Sequence, residues 1–151
     1  MTGSEVVRRA DPAAVEGILA GVPEWFGIPE ANAQYVADAA RLPSYLAVEG
    51  EQVVGVALLA QHFPRSRELH LLAVRRDRHQ QGIGRLLVEA VVTDLRTADV
   101  RLLEVHTVGP SYESEGYART RAFYEAVGFV PMNELQRIDW SGPTLILVRP
   151  L

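Results

Sequence analysis

"ELHLLAVRRDRHQQGIGRLL", residues 68–87, joins an apolar run, a basic turn and two glycines one residue apart at the start of a helical pattern. Glycine is favoured where backbone must bend sharply or approach a ligand closely. A helix start presents N–H groups with no intrahelical partner and a partial positive charge. The stretch is therefore either a plain turn into a helix or a cradle for an anion. A dinucleotide fingerprint would place a third glycine where Leu87 stands and would follow the first strand of the chain. A P-loop needs a lysine, and the chain has none.

The 151 residues suit one domain, expected to span 1–151, with an ordinary core. An apolar fraction of 48% with 23% charged residues is that of a soluble globular protein. No apolar run reaches the length of a membrane span, and the N-terminal "MTGSEVVRRADPAAV" lacks the apolar segment of a signal peptide. A cytoplasmic protein without membrane contact is the expectation. The net charge of -4 argues against nucleic acid as the main partner. The absence of cysteine excludes disulfides, thiolate metal sites and a cysteine nucleophile, and no metal is expected. Any anion site must use arginine or backbone N–H groups.

Working outward, "SEVVRRA" suits a first strand. "DPAAVEGILAG" opens with Asp11 as N-cap and Pro12 at the first helical position, and closes on Gly21. "EANAQYVADAARL" has helical spacing up to Pro43. "SYLAVEGEQVVGVALLAQHF" predicts a hairpin turning at Glu49-Gly50-Glu51. After the strand "ELHLLAV", a helix from Gly82 carries the apolar stripe Ile83, Leu86, Leu87, Ala90, Val91 and Leu95. "VRLLEVHTV", "FVPMNEL" and "TLILV" suit strands, with a short helix "TRAFYEAV" closed by Gly128. The class is α/β (α+β mixed sheet): an antiparallel hairpin, then a parallel strand–helix–strand crossover, with helices on both faces.

The run His79-Gln80-Gln81-Gly82-Ile83-Gly84 resembles the R/Q-x-x-G-x-G/A signature of the GNAT family of acyl-CoA-dependent N-acyltransferases, with histidine at its first position. "YARTRAFYEAVGF" resembles the family's N-x-x-A-x-x-x-Y-x-x-x-G-F: Tyr124, Gly128 and Phe129 match, while Tyr117 and Thr120 replace the asparagine and alanine. The order of elements fits over nearly the whole chain. The resemblance implies a central mixed sheet splayed between its fourth and fifth strands.

It also implies acetyl-CoA as cofactor. The pyrophosphate would meet N–H groups of Gln81, Gly82, Ile83, Gly84 and Arg85, beside His79 and Gln80, where the helix start favours negative charge. The backbone of Leu72, Ala73 and Val74 would pair with the pantetheine arm like an added strand. Arg75, Arg76, Arg78 and Arg85 make the rim basic. Tyr117 and Arg121 would line the cofactor channel, since 117, 121, 124 and 128 share a helical face if the helix extends back that far.

Acyl transfer needs a base for the amine and an acid for the thiolate. The family places Tyr124 near the cofactor sulfur as that acid, although an aromatic beside Phe123 could equally be core. Glu68 stands where the histone acetyltransferase branch has its base. His70, on the same face by alternation, is a second candidate base, and Glu104 with His106 form a similar pair one strand on. Trp25, Phe26 and Glu113 fall where the family binds the acceptor, a primary amine of a small molecule or peptide. A homodimer is compatible with the family. The competing reading is a catalytically silent module that senses acyl-CoA.

Overall fold

The computed structural model describes residues 3–151, which fall into two compact units: one from the N-terminus to Ala60 together with His70–Asp94, the other Gln61–Leu69 with Leu95–Leu151. Strand β4 (Ser66–Val74) contributes to both, its first half to the second unit and its second half to the first.

In the first unit, β1 (Glu5–Arg8), β2 (Ser44–Glu49) and β3 (Gln52–Ala60) form an antiparallel meander, and β4 follows β3 in strand order. The β2–β3 turn is where the sequence placed it, with Gly50 at a φ of +61°. Helix α1 (Pro12–Ala20) begins as expected: the Asp11 carboxylate accepts from the Ala14 N–H at 3.1 Å, and Pro12 occupies the first turn. Helix α2 (Pro29–Ala39) also starts on a proline. Val15, Ile18 and Leu19 of α1 and Ala39 of α2 pack with Leu46, Val48, Val56, Leu58, Leu71 and Ala73 in one apolar cluster. Helix α3 (Ile83–Thr97) covers the other face of the hairpin. Gly55 makes its approach feasible, because a Cβ there would lie 2.9 Å from Ile83 Cγ2 and 3.0 Å from Leu87 Cδ1. The buried stripe of α3 is Ile83, Leu87, Val88, Val91, Val92 and Leu95. It is rotated slightly from the expected one, since Leu86 and Ala90 are only half-buried and Val88 and Val92 are fully covered.

In the second unit, β4 pairs in parallel with β5 (Leu102–Val108), and β5, β7 (Pro143–Pro150) and β6 (Val130–Gln136) follow as an antiparallel set in that spatial order. The parallel ladder is short. It runs from Ser66↔Leu102 to Leu69↔Val105 and stops, although β4 continues to Val74 and β5 to Val108. The fourth and fifth strands thus stop pairing part-way, as a splay between them requires. Helix α4 (Glu115–Ala126) starts one turn earlier than the apolar pattern suggested, because Ser114 caps it by accepting from the Tyr117 N–H at 3.3 Å. Tyr117, Arg121 and Tyr124 therefore do share one helix. Gly128, at a φ of +99°, closes it.

Candidate active site

The glycine loop of the first unit is built by backbone that only special residues tolerate. Gln80 has a φ of +60° and Gly82 one of +82°, after a short 3-10 turn at Arg76–Arg78. The Leu86 N–H donates to the Gly82 carbonyl at 2.9 Å, which starts the helical ladder. The N–H groups of Ile83, Gly84 and Arg85 lie in the first turn of α3, ahead of any i−4 carbonyl within that helix. A Cβ on Gly82 would meet nothing within 4 Å, so the space above that glycine is open.

The basic rim does not stay free. Arg75 donates to Asp77 at 2.6 and 2.8 Å, Arg76 to Glu24 and to the Gly21 carbonyl, and Arg78 to Glu49 at 3.0 Å. The guanidinium of Arg78 holds Glu49 below the usual carboxylate range, as that of Arg75 does Asp77. Three of the four rim arginines thus brace the loop against α1, the hairpin and one another. Exposed pairs of this kind add little stability each, and their charge is largely matched within the protein. His79 also looks inward. Its Nε2 donates to the Val74 carbonyl at 2.8 Å, and its ring meets Trp25 edge-on with centroids 5.5 Å apart. The atypical first residue of the signature is thus a latch between loop and β4. Of the three β4 residues expected to meet the pantetheine arm, Val74 already shares its carbonyl with this latch. Trp25 belongs to the neighbourhood of the loop.

Burial alternates along β4: Leu69, Leu71 and Ala73 are buried, and Glu68, His70, Leu72 and Val74 are half-buried. His70 reaches helix α2. Its Nε2 lies 2.9 Å from Asp38 Oδ2, and its ring packs against Tyr35 with centroids 5.3 Å apart at 61°. Tyr35 in turn meets Phe26 at 6.0 Å and 82°. The structure thus joins Phe26 and His70, separated in the sequence, through Tyr35. Asp38 was not marked by the sequence. It is 2% exposed, and its Oδ1 also accepts from Gln34 Nε2 at 2.9 Å and from Arg41 at 2.6 Å. Burial pushes this carboxyl up, but the bonds from His70, Gln34 and Arg41 outweigh it and hold the group below its ordinary value.

In the second unit, Glu68 Oε1 accepts from His62 Nε2 at 2.7 Å. Glu68 stands opposite Glu104 in the parallel ladder. His106 is gripped at both ring nitrogens, Nε2 by Glu104 at 2.6 Å and Nδ1 by Asp139 at 2.8 Å. Burial opposes its charge, yet the two carboxylates win and raise the imidazole above its ordinary range. The two carboxylates thus favour the charged imidazole of His106, which counts against it as a base. A raised folded-state value means that its stabilising contribution is complete below the unfolded value of about 6.5 and is lost as pH rises through the folded one. The melting-temperature gap between the wild type and His106→Gln should therefore be larger near pH 6 than near pH 9. A gap that stays constant or widens with pH would contradict the paired imidazolium.

On α4, Arg121 donates to the Val108 carbonyl at 2.8 Å, at the end of β5. Burial raises the half-buried Tyr117 phenol above its ordinary value. Tyr124 is 6% exposed, its ring edge-on to Phe123 and Phe129 with centroids 5.3 and 5.5 Å away. Glu113 is exposed just before the cap of the same helix.

A family model described as an acetyltransferase (GNAT) domain matches residues 40–131, more than half of the chain, with both signatures inside the match. The chain belongs to the GNAT acetyltransferase family. Solved structures agree in fold. A GNAT-family protein from Desulfovibrio desulfuricans superposes with a TM-score of 0.86 at 23% identity, over 98% of this chain and 99% of that one. The ribosomal-protein-S18-alanine N-acetyltransferase of Escherichia coli gives 0.76 at 19% identity, over 99% and 94%. A GNAT family acetyltransferase from Elizabethkingia anophelis, solved with acetyl-CoA bound, gives 0.73 at 17%, over 97% and 99%. No curated protein matches the chain. Among the described residues, no helix of this GNAT acetyltransferase is long and apolar enough to cross a membrane.

Proposed function

We propose that this chain is an acetyl-CoA-dependent N-acetyltransferase that moves the acetyl group directly to a primary amine of a small molecule or peptide. The observation that carries the reading is the loop at 79–85. Its left-handed Gln80 and Gly82, the open space over Gly82 and the N–H groups at the start of α3 suit a pyrophosphate. They follow a strand whose pairing with β5 ends at Leu69. The backbone edge of Leu72 and Ala73 suits a pantetheine arm. Because Arg75, Arg76 and Arg78 are occupied by carboxylates, the backbone N–H groups of the loop take the main part in anion binding, with Gln80, Gln81 and Arg85 beside them. Tyr117 and Arg121 on α4 serve the cofactor in this reading, and Trp25, Phe26 and Glu113 the acceptor.

Acetyl-CoA supplies an activated acyl group and a thiolate leaving group. The protein supplies the proton traffic. Glu68 or His70 takes the proton from the amine, and Tyr124 donates one to the departing sulfur. With no cysteine in the chain, a cysteinyl intermediate is excluded. The test is free-thiol release from acetyl-CoA against a panel of primary amines, with calorimetric binding of CoA measured on the same protein. Amine-dependent thiol release supports the transferase. Tight CoA binding without such release favours a cofactor-sensing module, and no CoA binding overturns both.

A further inference from the structure

Resting on the acetyltransferase reading, we propose that the Asp38–His70 pair makes Nδ1 of His70 the atom that accepts the amine proton, with Asp38 as its positioning residue. Three observations carry this. First, Asp38 is a buried carboxylate with its partners inside the protein: it is 2% exposed and accepts three hydrogen bonds, two at Oδ1 and one at Oδ2. An ionised carboxylate only accepts, so the proton in the His70–Asp38 bond sits on Nε2. Neutral His70 is thereby fixed as the Nε2–H tautomer, and the lone pair is on Nδ1. Second, no hydrogen bond reaches Nδ1 among the described residues, and the side chain remains 28% exposed. Third, the ring is clamped. Tyr35 packs against it, Phe26 backs Tyr35, and Arg41 and Gln34 hold the carboxylate in place.

The other candidate base is held differently. Glu68 accepts from His62, whose side chain is 57% exposed. Asp38 also explains itself better as an orienter than as a structural ion. Its donors come from Gln34 on α2, from Arg41 just past the end of that helix and from β4, and it lies beside the single histidine of that half-strand.

In the transfer step the amine N–H bond breaks, its proton goes to Nδ1, and a new N–C bond forms as the C–S bond breaks. His70 then passes the proton to water. Asp38 stabilises the imidazolium without itself being protonated.

Two measurements test this. Long-range proton–nitrogen spectra of the intact wild type, labelled in histidine nitrogen, should show His70 as the Nε2–H tautomer, and Asp38→Asn should lose that bias. The wild-type spectrum needs neither turnover nor a folded variant. In the thiol-release assay, His70→Gln should lower kcat by about 100-fold, within the usual range for a proton-transfer group. Asp38→Asn should lower kcat by roughly 10-fold, with KM for acetyl-CoA within about twofold, because the loss is confined to the chemical step. An Nδ1–H tautomer in the wild type overturns the proposal whatever the activity. So does wild-type kcat in His70→Gln, or a wild-type enzyme that is silenced by Glu68→Gln alone. A wild type that binds CoA but never releases thiol overturns instead the reading on which the proposal rests.

Discussion

Gly82→Ala is expected to weaken CoA binding by about 10- to 100-fold, the loss of one or two hydrogen bonds to a charged group. Two effects of the substitution must be separated. An L-residue held at a φ of +82° costs about 1–2 kcal/mol of backbone strain. For a chain of this size that lowers the melting temperature by roughly 2–8 °C. Gly50 supplies the control. It also sits in the left-handed region, at +61°, and a Cβ there would also meet nothing within 4 Å. It lies in the β2–β3 turn, away from the glycine loop in sequence. Gly50→Ala should therefore reproduce the loss of stability and leave CoA binding intact. If Gly82→Ala and Gly50→Ala both bind CoA like the wild type, the loop is only a bend and the cradle assignment fails. The thermal shift on adding CoA gives the same answer independently, since a ligand stabilises the fold in proportion to its affinity.

The parts of the fold set by local rules were visible in the sequence, because capping, periodicity and turn chemistry act over a few residues. Asp11 with Pro12, the turn at Gly50 and the end of α4 at Gly128 all stand where those rules put them. The start of α4 was less visible, since "SYESEGYA" has no apolar stripe and its helix rests on the Ser114 cap. The stripe of α3 was blurred for another reason: valines and leucines stand on more than one side of that helix, and the approach of Ile83 and Leu87 to Gly55 is a distant contact that spacing does not carry. The site was legible as a set of loops but not as a set of partners. The loop glycines were marked by spacing. Asp38, by contrast, looked like any polar residue on an amphipathic helix, and its partner His70 lies 32 positions away. The grip of Asp139 on His106 spans 33 positions and was equally silent. Nor could the arginines of the rim be told from phosphate ligands, because charge composition does not say which carboxylate each one meets.

Tyr124→Phe should lower kcat by about 100-fold or more while leaving KM for acetyl-CoA nearly unchanged. The substitution is informative because the residue has two credible roles. Its ring is an aromatic core member, 6% exposed and edge-on to Phe123 and Phe129. Phenylalanine keeps that ring, and with it nearly all of the buried area and both aromatic contacts. What goes is the hydroxyl, whose hydrogen bonding contributes on the order of 1 kcal/mol to stability. The melting temperature should thus fall by only a few degrees. Tyr124→Ala removes the ring as well and should cost about 3–5 kcal/mol, as other large-to-small aromatic changes do. The two variants therefore separate packing from chemistry. A core role predicts a stable, fully active phenylalanine variant and a damaged alanine one. An acid role predicts a stable phenylalanine variant that binds acetyl-CoA and turns it over slowly, with the slow step already present in a single turnover. Wild-type turnover in Tyr124→Phe would remove the hydroxyl from the chemistry and leave the thiolate to be protonated by water or by another group.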